Sequence, residues 1–396
     1  MRYIHSELKP SVVLISGDYA PNIGGLAGHV YELAQALHDA HHQVTVITSV
    51  SSEAKESVPW SVFRIPPKIS QARWIARPQI VSSTKTIIHR LQQQGAADLI
   101  HWHTLDHFCQ AVKSLRHPAK VFTNHTSHFT AALERGRHSR LRRQIGHANA
   151  WITVSERLRE NTLELGMPSD RVELITNGVN VREFRPRDQK KCRAELGLPQ
   201  DTVLVLYAGR VEKVKGTDVL AEAIEQIRES HPQSTLRFVF VGDHARAKTS
   251  EFEQSIDKML SAAKSEDLVI YKGPQPRHEM PKYYAAADIT VLPSRNEATS
   301  LTALESMACA TPVVASSVGG LVQIISNEDD GILIEPENSE TLANAIVNLA
   351  NDERRIKQLG DSARKKVVES WSWATVAEQT AEVYSRVLAS SRKESK

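Results

Sequence analysis

A chain of 396 residues that is 41% hydrophobic and 24% charged has the length of two or three ordinary domains, not of one continuous core. Its 49 Lys and Arg against 46 Asp and Glu leave a net charge of +3, too balanced for a chain that coats nucleic acid, so no nucleic-acid partner is expected. The longest apolar runs, such as Val203–Ala208, fall far short of the ~20 residues that span a bilayer, and residues 1–11 lack a signal-peptide hydrophobic stretch; the expected location is the cytoplasm.

In chain order, short apolar runs alternate with longer stretches of helical periodicity, the pattern of a parallel sheet wrapped by helices. Val12–Ser16 reads as the first strand and 26–40 as its crossover helix. Val44–Thr48 follows, then strands at 99–100, 120–123, 151–154 and 172–175, with helices at 80–94 and 155–165 between them. The pattern breaks at Asn177-Gly178 and runs through Phe184-Arg185-Pro186, where an interdomain linker is expected. It restarts at 203–207 and continues with strands at 238–241, 268–271, Ile289–Leu292, 312–315 and Ile332–Ile334, and helices at 216–230 and 341–349. The expectation is an α/β chain of two tandem domains, 1–186 and 187–370, with ligand-binding loops just beyond the carboxyl ends of the strands.

Charge is uneven along that chain. Residues 1–190 carry 24 Lys and Arg against 16 Asp and Glu, whereas residues 191–396 carry 25 against 30. Much of the excess lies in Arg135, Arg137, Arg140, Arg142 and Arg143, a cluster that suits an anionic acceptor, an acidic membrane surface or a solvated helix face. Cys109, Cys192 and Cys309 are odd in number and widely spaced, so they form neither a disulfide framework nor a CxxC site and read as small buried apolar residues.

Three loops carry residues suited to chemistry. After the first strand, Gly24-Gly25 precedes a helix and would let a ligand approach bare backbone; a structural tight turn explains the pair equally well. The segment is neither GxGxxG nor a P-loop. After 203–207, Arg210 and Lys215 bracket a strand-to-helix loop where two cations and a helix N-terminus suit a pyrophosphate, unless they are merely exposed. The stretch 293–308 holds Glu297 on a loop and Glu305 a turn into the following helix. Their carboxylates suit sugar and ribose hydroxyls, with backbone N–H groups of Ser300, Leu301 and Thr302 left for a phosphate. Against this, Ser294-x-x-Glu297 and Thr302-x-x-Glu305 both match a capping box. Histidines cluster at His101, His103 and His107 and at His125 and His128, but no HExxH and no Asp-x-Asp occurs, so no metal site is expected from spacing. His125 follows a strand and is placed to reach a ligand, or is a satisfied structural residue.

Taken together, these stretches resemble the retaining GT-B glycosyltransferases of family 4, the glycosyl transferases group 1. The resemblance runs through Pro21…Gly24-Gly25 with His29-Val30, Asp98-x-x-His101, Thr123-x-His125, Val154-Ser155-Glu156 and Asn177-Gly178-Val179 with Phe184-x-Pro186. It continues with Gly209-Arg210…Lys215-Gly216, Gly242-Asp243, Glu297-x7-Glu305, Thr311-Pro312-Val313-Val314, Gly319-Gly320 and Trp373…Tyr384. It implies two Rossmann-like parallel-sheet domains facing across a cleft, a closing helix over 371–390 that packs back on the first domain, and a hexosyl group moved from a nucleoside-diphosphate sugar, expected to be a UDP-sugar. The acceptor implied is a hydroxyl on a glycan, a lipid-linked molecule or a small molecule, anionic in one reading, with peripheral contact to the inner membrane surface in another.

By the same resemblance Arg210 and Lys215 would bind the diphosphate, Glu305 the ribose and Glu297 the transferred sugar. Gly24, Gly25, Gly273, Ser300, Leu301 and Thr302 would lie against the donor, and His125 beside the donor sugar. No cofactor and no metal are implied, because an Arg, a Lys and a helix dipole would stabilise the departing diphosphate. The chain departs from the family at Ala298-Thr299-Ser300, where an aromatic and a glycine are common, and at Val322-Gln323, where Pro-Glu is usual. Other functions weighed are a sugar-nucleotide epimerase of the same fold, an inactive sugar-nucleotide-binding protein, and a phosphorylase, which would need a cofactor lysine and a longer chain.

Overall fold

A computed structural model describes residues 9–20, 25–49, 58–65, 73–115, 119–125, 127–242, 256, 258, 261, 263, 268–297 and 299–394. The elements are β1 Val12–Ser16, α1 Gly25–Asp39, β2 Val44–Thr48, β3 Ser61–Arg64, α2 Arg73–Gln93, β4 Leu99–Trp102, α3 His107–Ser114, β5 Lys120–Asn124, α4 Ser127–Glu134, α5 His138–Ile145, β6 Ala150–Thr153, α6 Glu156–Glu164 and β7 Val172–Leu174. After them come α7 Gln189–Leu196, β8 Val203–Ala208, α8 Thr217–Ser230, β9 Leu236–Val241, β10 Val269–Gly273, α9 Met280–Ala286, β11 Ile289–Leu292, α10 Leu301–Ala308, β12 Val313–Ser316, α11 Leu321–Ile324, β13 Ile332–Ile334, α12 Ser339–Ala350, α13 Glu353–Ser370 and α14 Trp373–Glu394.

Contacts divide the chain into two units, 1–177 with 373–396, and 178–372. The first holds a parallel sheet in the order β3-β2-β1-β4-β5-β6-β7, the second one in the order β10-β9-β8-β11-β12-β13. Both are Rossmann-like, as expected: the order reverses once, between β1 and β4 in the first unit and between β8 and β11 in the second. The central strand sequences are nearly continuous apolar runs because both faces of each sheet are covered. In β1, Val12 and Leu14 belong to one buried cluster with Leu33, Leu37 and Tyr384, while Val13 and Ile15 belong to another with Trp102 and Phe122. In β8, Leu204 and Leu206 face the cluster of Leu304 and Met307, and Val205 and Tyr207 face that of Leu220 and Ile224. The period of two thus sorts one strand between two cores.

The first division falls after Asn177 and not at 186 because the intervening residues are packed into the second unit. Val179 and Phe184 are buried in its core, and Arg364 donates from α13 to the carbonyls of Phe184, Ala308 and Val181 at 2.9, 2.7 and 3.1 Å. The chain re-enters the first unit at Trp373, and Val376, Ala377, Val383 and Val387 of α14 join the same cluster as α1. The edge strand β3 was not visible in the sequence: it has four residues, is half-exposed, and presents no apolar run. Helix α2 begins before the expected residue 80 and carries Pro78 within it. The three cysteines are free and buried, and burial pushes the thiols of Cys109 and Cys309 up to about 12. Among the described residues no helix is long and apolar enough to cross a membrane.

Candidate functional site

In the second unit, the loops leaving β8 and β11 flank the point where the strand order reverses, the position at which an open parallel sheet leaves a crevice beyond its carboxyl edge. These are the loops that carry Arg210 with Lys215, and Glu297. Lys215 Nζ lies 2.6 Å from Glu297 Oε1, and Ser294 Oγ donates to the same oxygen at 3.1 Å. The pair is sheltered, with 27% of the lysine side chain and 11% of the glutamate side chain exposed. Arg295 clamps the two loops together: its guanidinium meets both oxygens of Asp218 at 2.7 and 2.9 Å and Glu337 at 2.5 Å, and its backbone N–H donates to Val214 O at 2.9 Å. Bonds to Asp218 and Glu337 hold its proton more tightly than usual. Sequence reading missed Arg295, since a two-pronged contact across 77 residues leaves no local signature.

Glu297 and Glu305 do not cap a helix. Helix α10 opens at Leu301 with Ser300 as its N-cap, whose Oγ accepts from Ala303 N at 3.3 Å, so neither Ser294 nor Thr302 holds the capping position. Leu301 and Thr302 form the first turn, whose N–H groups have no intrahelical acceptor. Thr302 Oγ1 lies 3.5 Å from Ala208 O at the end of β8. Glu305 is buried one turn further in. Tyr284 OH donates to its Oε2 at 3.0 Å, and Arg277 Nη1 lies 3.3 Å from Oε1. Burial raises its pKa to about 7 despite the opposing pull of Arg277 and Tyr284. Arg277 also lies over the Phe184 ring, 5.6 Å from its centroid.

Arg210 does not join Lys215 on Glu297. Its Nη1 is 2.5 Å from Glu212 Oε1, its side chain is 64% exposed, and its carbonyl accepts from Tyr207 OH at 2.7 Å. Burial first, then the carboxylates of Glu297 and Glu212, push the Tyr207 phenol well up.

Two glycines, Gly216 at the N-cap of α8 and Gly273 at the end of β10, separate crowding from backbone preference. Gly216 has φ +66°, and a Cβ there would lie 1.8 Å from Pro293 O, so it is what lets the two loops touch. Gly273 has φ +65° and open space where a Cβ would go. Both alanine variants put an L side chain in the left-handed region, at about 1–2 kcal/mol each. The expected result by urea denaturation is that Gly216→Ala loses about 1–3 kcal/mol more than Gly273→Ala, from overpacking. Equal losses contradict the close approach.

The first unit gathers histidines at its carboxyl edge. His103 follows β4, His125 follows β5 and His29 lies on α1. His103 Nδ1 and His125 Nε2 are 3.0 Å apart, and His29 packs edge-on to His125 with centroids 4.2 Å apart. His29 Nδ1 is held by Asn177 Oδ1 at 2.8 Å. His101 sits behind them between Tyr384 OH at 2.7 Å and Thr123 Oγ1 at 2.6 Å. Burial holds all four neutral: His29 falls to about 4, and His101, His103 and His125 lie well below the usual range. Nitrogens of His29, His103 and His125 lie within 4.8 Å of one another, a set with the donor chemistry for a metal ion that linear spacing did not reveal. One hydrogen bond already joins His103 to His125. Gly25 is the exposed first residue of α1, and Gly24 lies outside the described residues, as does Ala298.

Comparison with known proteins agrees with this architecture. The family described as Glycosyltransferase Family 4 matches residues 23–183, and that described as Glycosyl transferases group 1 matches residues 188–366. A D-inositol 3-phosphate glycosyltransferase of Acidothermus cellulolyticus is 33% identical over 261 residues, 63% of this chain and 57% of the relative, so the match spans little more than half the relative's length. Among solved structures, sucrose-phosphate synthase of Thermosynechococcus elongatus superposes with a TM-score of 0.77 at 25% identity, covering 96% of this chain and 100% of that one. Anabaena HepE in complex with UDP shares the fold with a TM-score of 0.76 at 21% identity, covering 95% and 100%.

Proposed function

Because the chain belongs to the group 1, family 4 glycosyltransferases, we propose that it is a hexosyltransferase that takes its sugar, with retention at the anomeric carbon, from a nucleoside-diphosphate donor held by the second unit. The observation that carries this reading is the pairing of Lys215 with Glu297 across the two loops that flank the β8/β11 reversal, next to the open first turn of α10. A leaving diphosphate gains negative charge as the glycosidic bond breaks, and an ammonium, a guanidinium and a helix N-terminus are positive ends that stabilise it, the two side chains exchanging their carboxylate partners for the phosphates. Lys215, Arg210 and the amides of Leu301 and Thr302 take that part, with Gly273 against the donor. Glu297, freed from Lys215 by the phosphates, faces the hydroxyls of the transferred sugar. Glu305 accepts from the ribose hydroxyls. In the first unit His125, neutral at physiological pH, would offer a bound hydroxyl a hydrogen bond and no charge.

The donor proposed is a UDP-sugar, in keeping with the UDP bound by the HepE neighbour. The acceptor is a hydroxyl on a glycan, a lipid-linked molecule or a small molecule. The relative named for D-inositol 3-phosphate adds a phosphorylated polyol to the acceptors worth testing.

The test is incubation with a panel of sugar nucleotides, with and without acceptors, following nucleoside diphosphate release and the anomeric configuration of the product by NMR. Acceptor-dependent release with a retained configuration is expected. An epimerised donor and no dependence on any acceptor contradict the transferase. EDTA is expected to leave turnover nearly unchanged; abolition by the chelator with rescue by magnesium or manganese contradicts a diphosphate held by side chains and helix dipole alone.

A further inference from the structure

The opposite edge of the first unit's sheet carries a cavity of its own. The chain enters β5 from α3, β6 from α5 and β7 from α6, and these three approaches line a space of about 770 Å³. Its wall holds Lys113, Arg142, Arg143 and Arg171, and no Asp or Glu. Among the described residues none of the four cations forms a salt bridge, whereas Arg157 and Arg159 of α6 are paired with Glu134 and Glu156 at 3.1 and 2.8 Å. His147 of the same wall stacks on Trp102 with centroids 5.0 Å apart, and among the described residues neither of its ring nitrogens finds a hydrogen-bond partner. Of the five-arginine cluster legible in the sequence, Arg142 and Arg143 line this cavity and Arg135, Arg137 and Arg140 do not.

Four uncompensated cations around one concavity concentrate positive potential, and three planar guanidinium forks match the geometry of phosphoryl oxygens. We propose that this cavity binds the phosphoryl group of a free, soluble phosphorylated molecule, at a site distinct from the donor site of the second unit. None of His29, His103 and His125 lines this cavity, which lies at the amino edge of the sheet, whereas His103 and His125 follow the carboxyl ends of their strands.

The experiment is calorimetric titration of inorganic pyrophosphate into the full chain at low salt. The wild type is expected to show two saturable sites. Arg142→Gln with Arg171→Gln is expected to weaken one of them at least tenfold and leave the other intact, while Lys215→Met weakens only the other. Raising NaCl from 0.05 to 0.5 M weakens the cavity site further. Both arginines are exposed, so melting temperature is expected to hold, and Arg142→Lys with Arg171→Lys is expected to recover part of the binding. A single wild-type site, abolished by Lys215→Met, overturns the proposal. So does sedimentation with phosphatidylglycerol vesicles that depends on Arg142 and Arg171 while pyrophosphate shows no second site, since the surface then serves a membrane.

Discussion

Lys215→Met is expected to lower kcat/KM by about two to three powers of ten, the loss typical of removing one positive partner of a developing anion. It is also expected to cost stability. Glu297 is only 11% exposed at its side chain and would keep Ser294 as its remaining partner, and an uncompensated, largely buried carboxylate costs about 1–3 kcal/mol in such a setting. The two effects separate in a second variant. Adding Glu297→Gln to Lys215→Met removes the stranded charge, so urea unfolding is expected to recover most of the stability while transfer stays far below that of Glu297→Gln alone. If the double variant matched Glu297→Gln in activity as well as in stability, Lys215 would be serving only as a structural counter-ion.

Glu305→Gln is expected to change stability in a pH-dependent way. Burial chiefly raises the folded carboxyl from 4.5 to about 7, so the native state holds this proton more tightly than the unfolded chain. Stability from this group is therefore greatest below pH 4.5, falls as pH rises, and is lost fully above about pH 7, by about 3 kcal/mol. Glutamine does not ionise, so the variant is expected to match the wild type near pH 4.5 and to be the more stable protein at pH 8. A difference in melting temperature that does not vary with pH contradicts a buried, strained carboxylate. The proposed role of Glu305 offsets such a cost, because ribose hydroxyls donating to it would favour its ionised form. Nucleotide affinity of the wild type is then expected to rise with pH through the same range.

Most of the architecture was legible because both sheets are covered on two faces. Continuous apolar runs such as Val12–Ser16 and Val203–Ala208 have no other economical use in a chain of this kind. The exceptions have physical reasons. The edge strand Ser61–Arg64 needs no apolar run, and the division after Asn177 is set by where Val179 and Phe184 are buried, which no turn dipeptide encodes. The residues of the candidate site were named from loops at strand ends, but their partners were not. Arg295 gripping Asp218, Tyr284 donating to Glu305, and Asn177 holding His29 are long-range pairings that only the folded sheet creates. The capping-box matches show the reverse limit, since the same four-residue spacing occurs where no helix begins.

The central claim is that Glu305 and Glu297 serve one bound donor in different ways, one holding the nucleotide and the other the sugar. Calorimetric titration of UDP at pH 8 into the wild type, Glu305→Gln and Glu297→Gln tests it most directly. Loss of a charge-assisted hydrogen bond is worth about 1.5–3 kcal/mol, so affinity is predicted to fall by about one to two powers of ten in Glu305→Gln and to be largely kept in Glu297→Gln, which instead slows transfer. Equal UDP affinity in all three proteins, with full transfer activity in both variants, would contradict it.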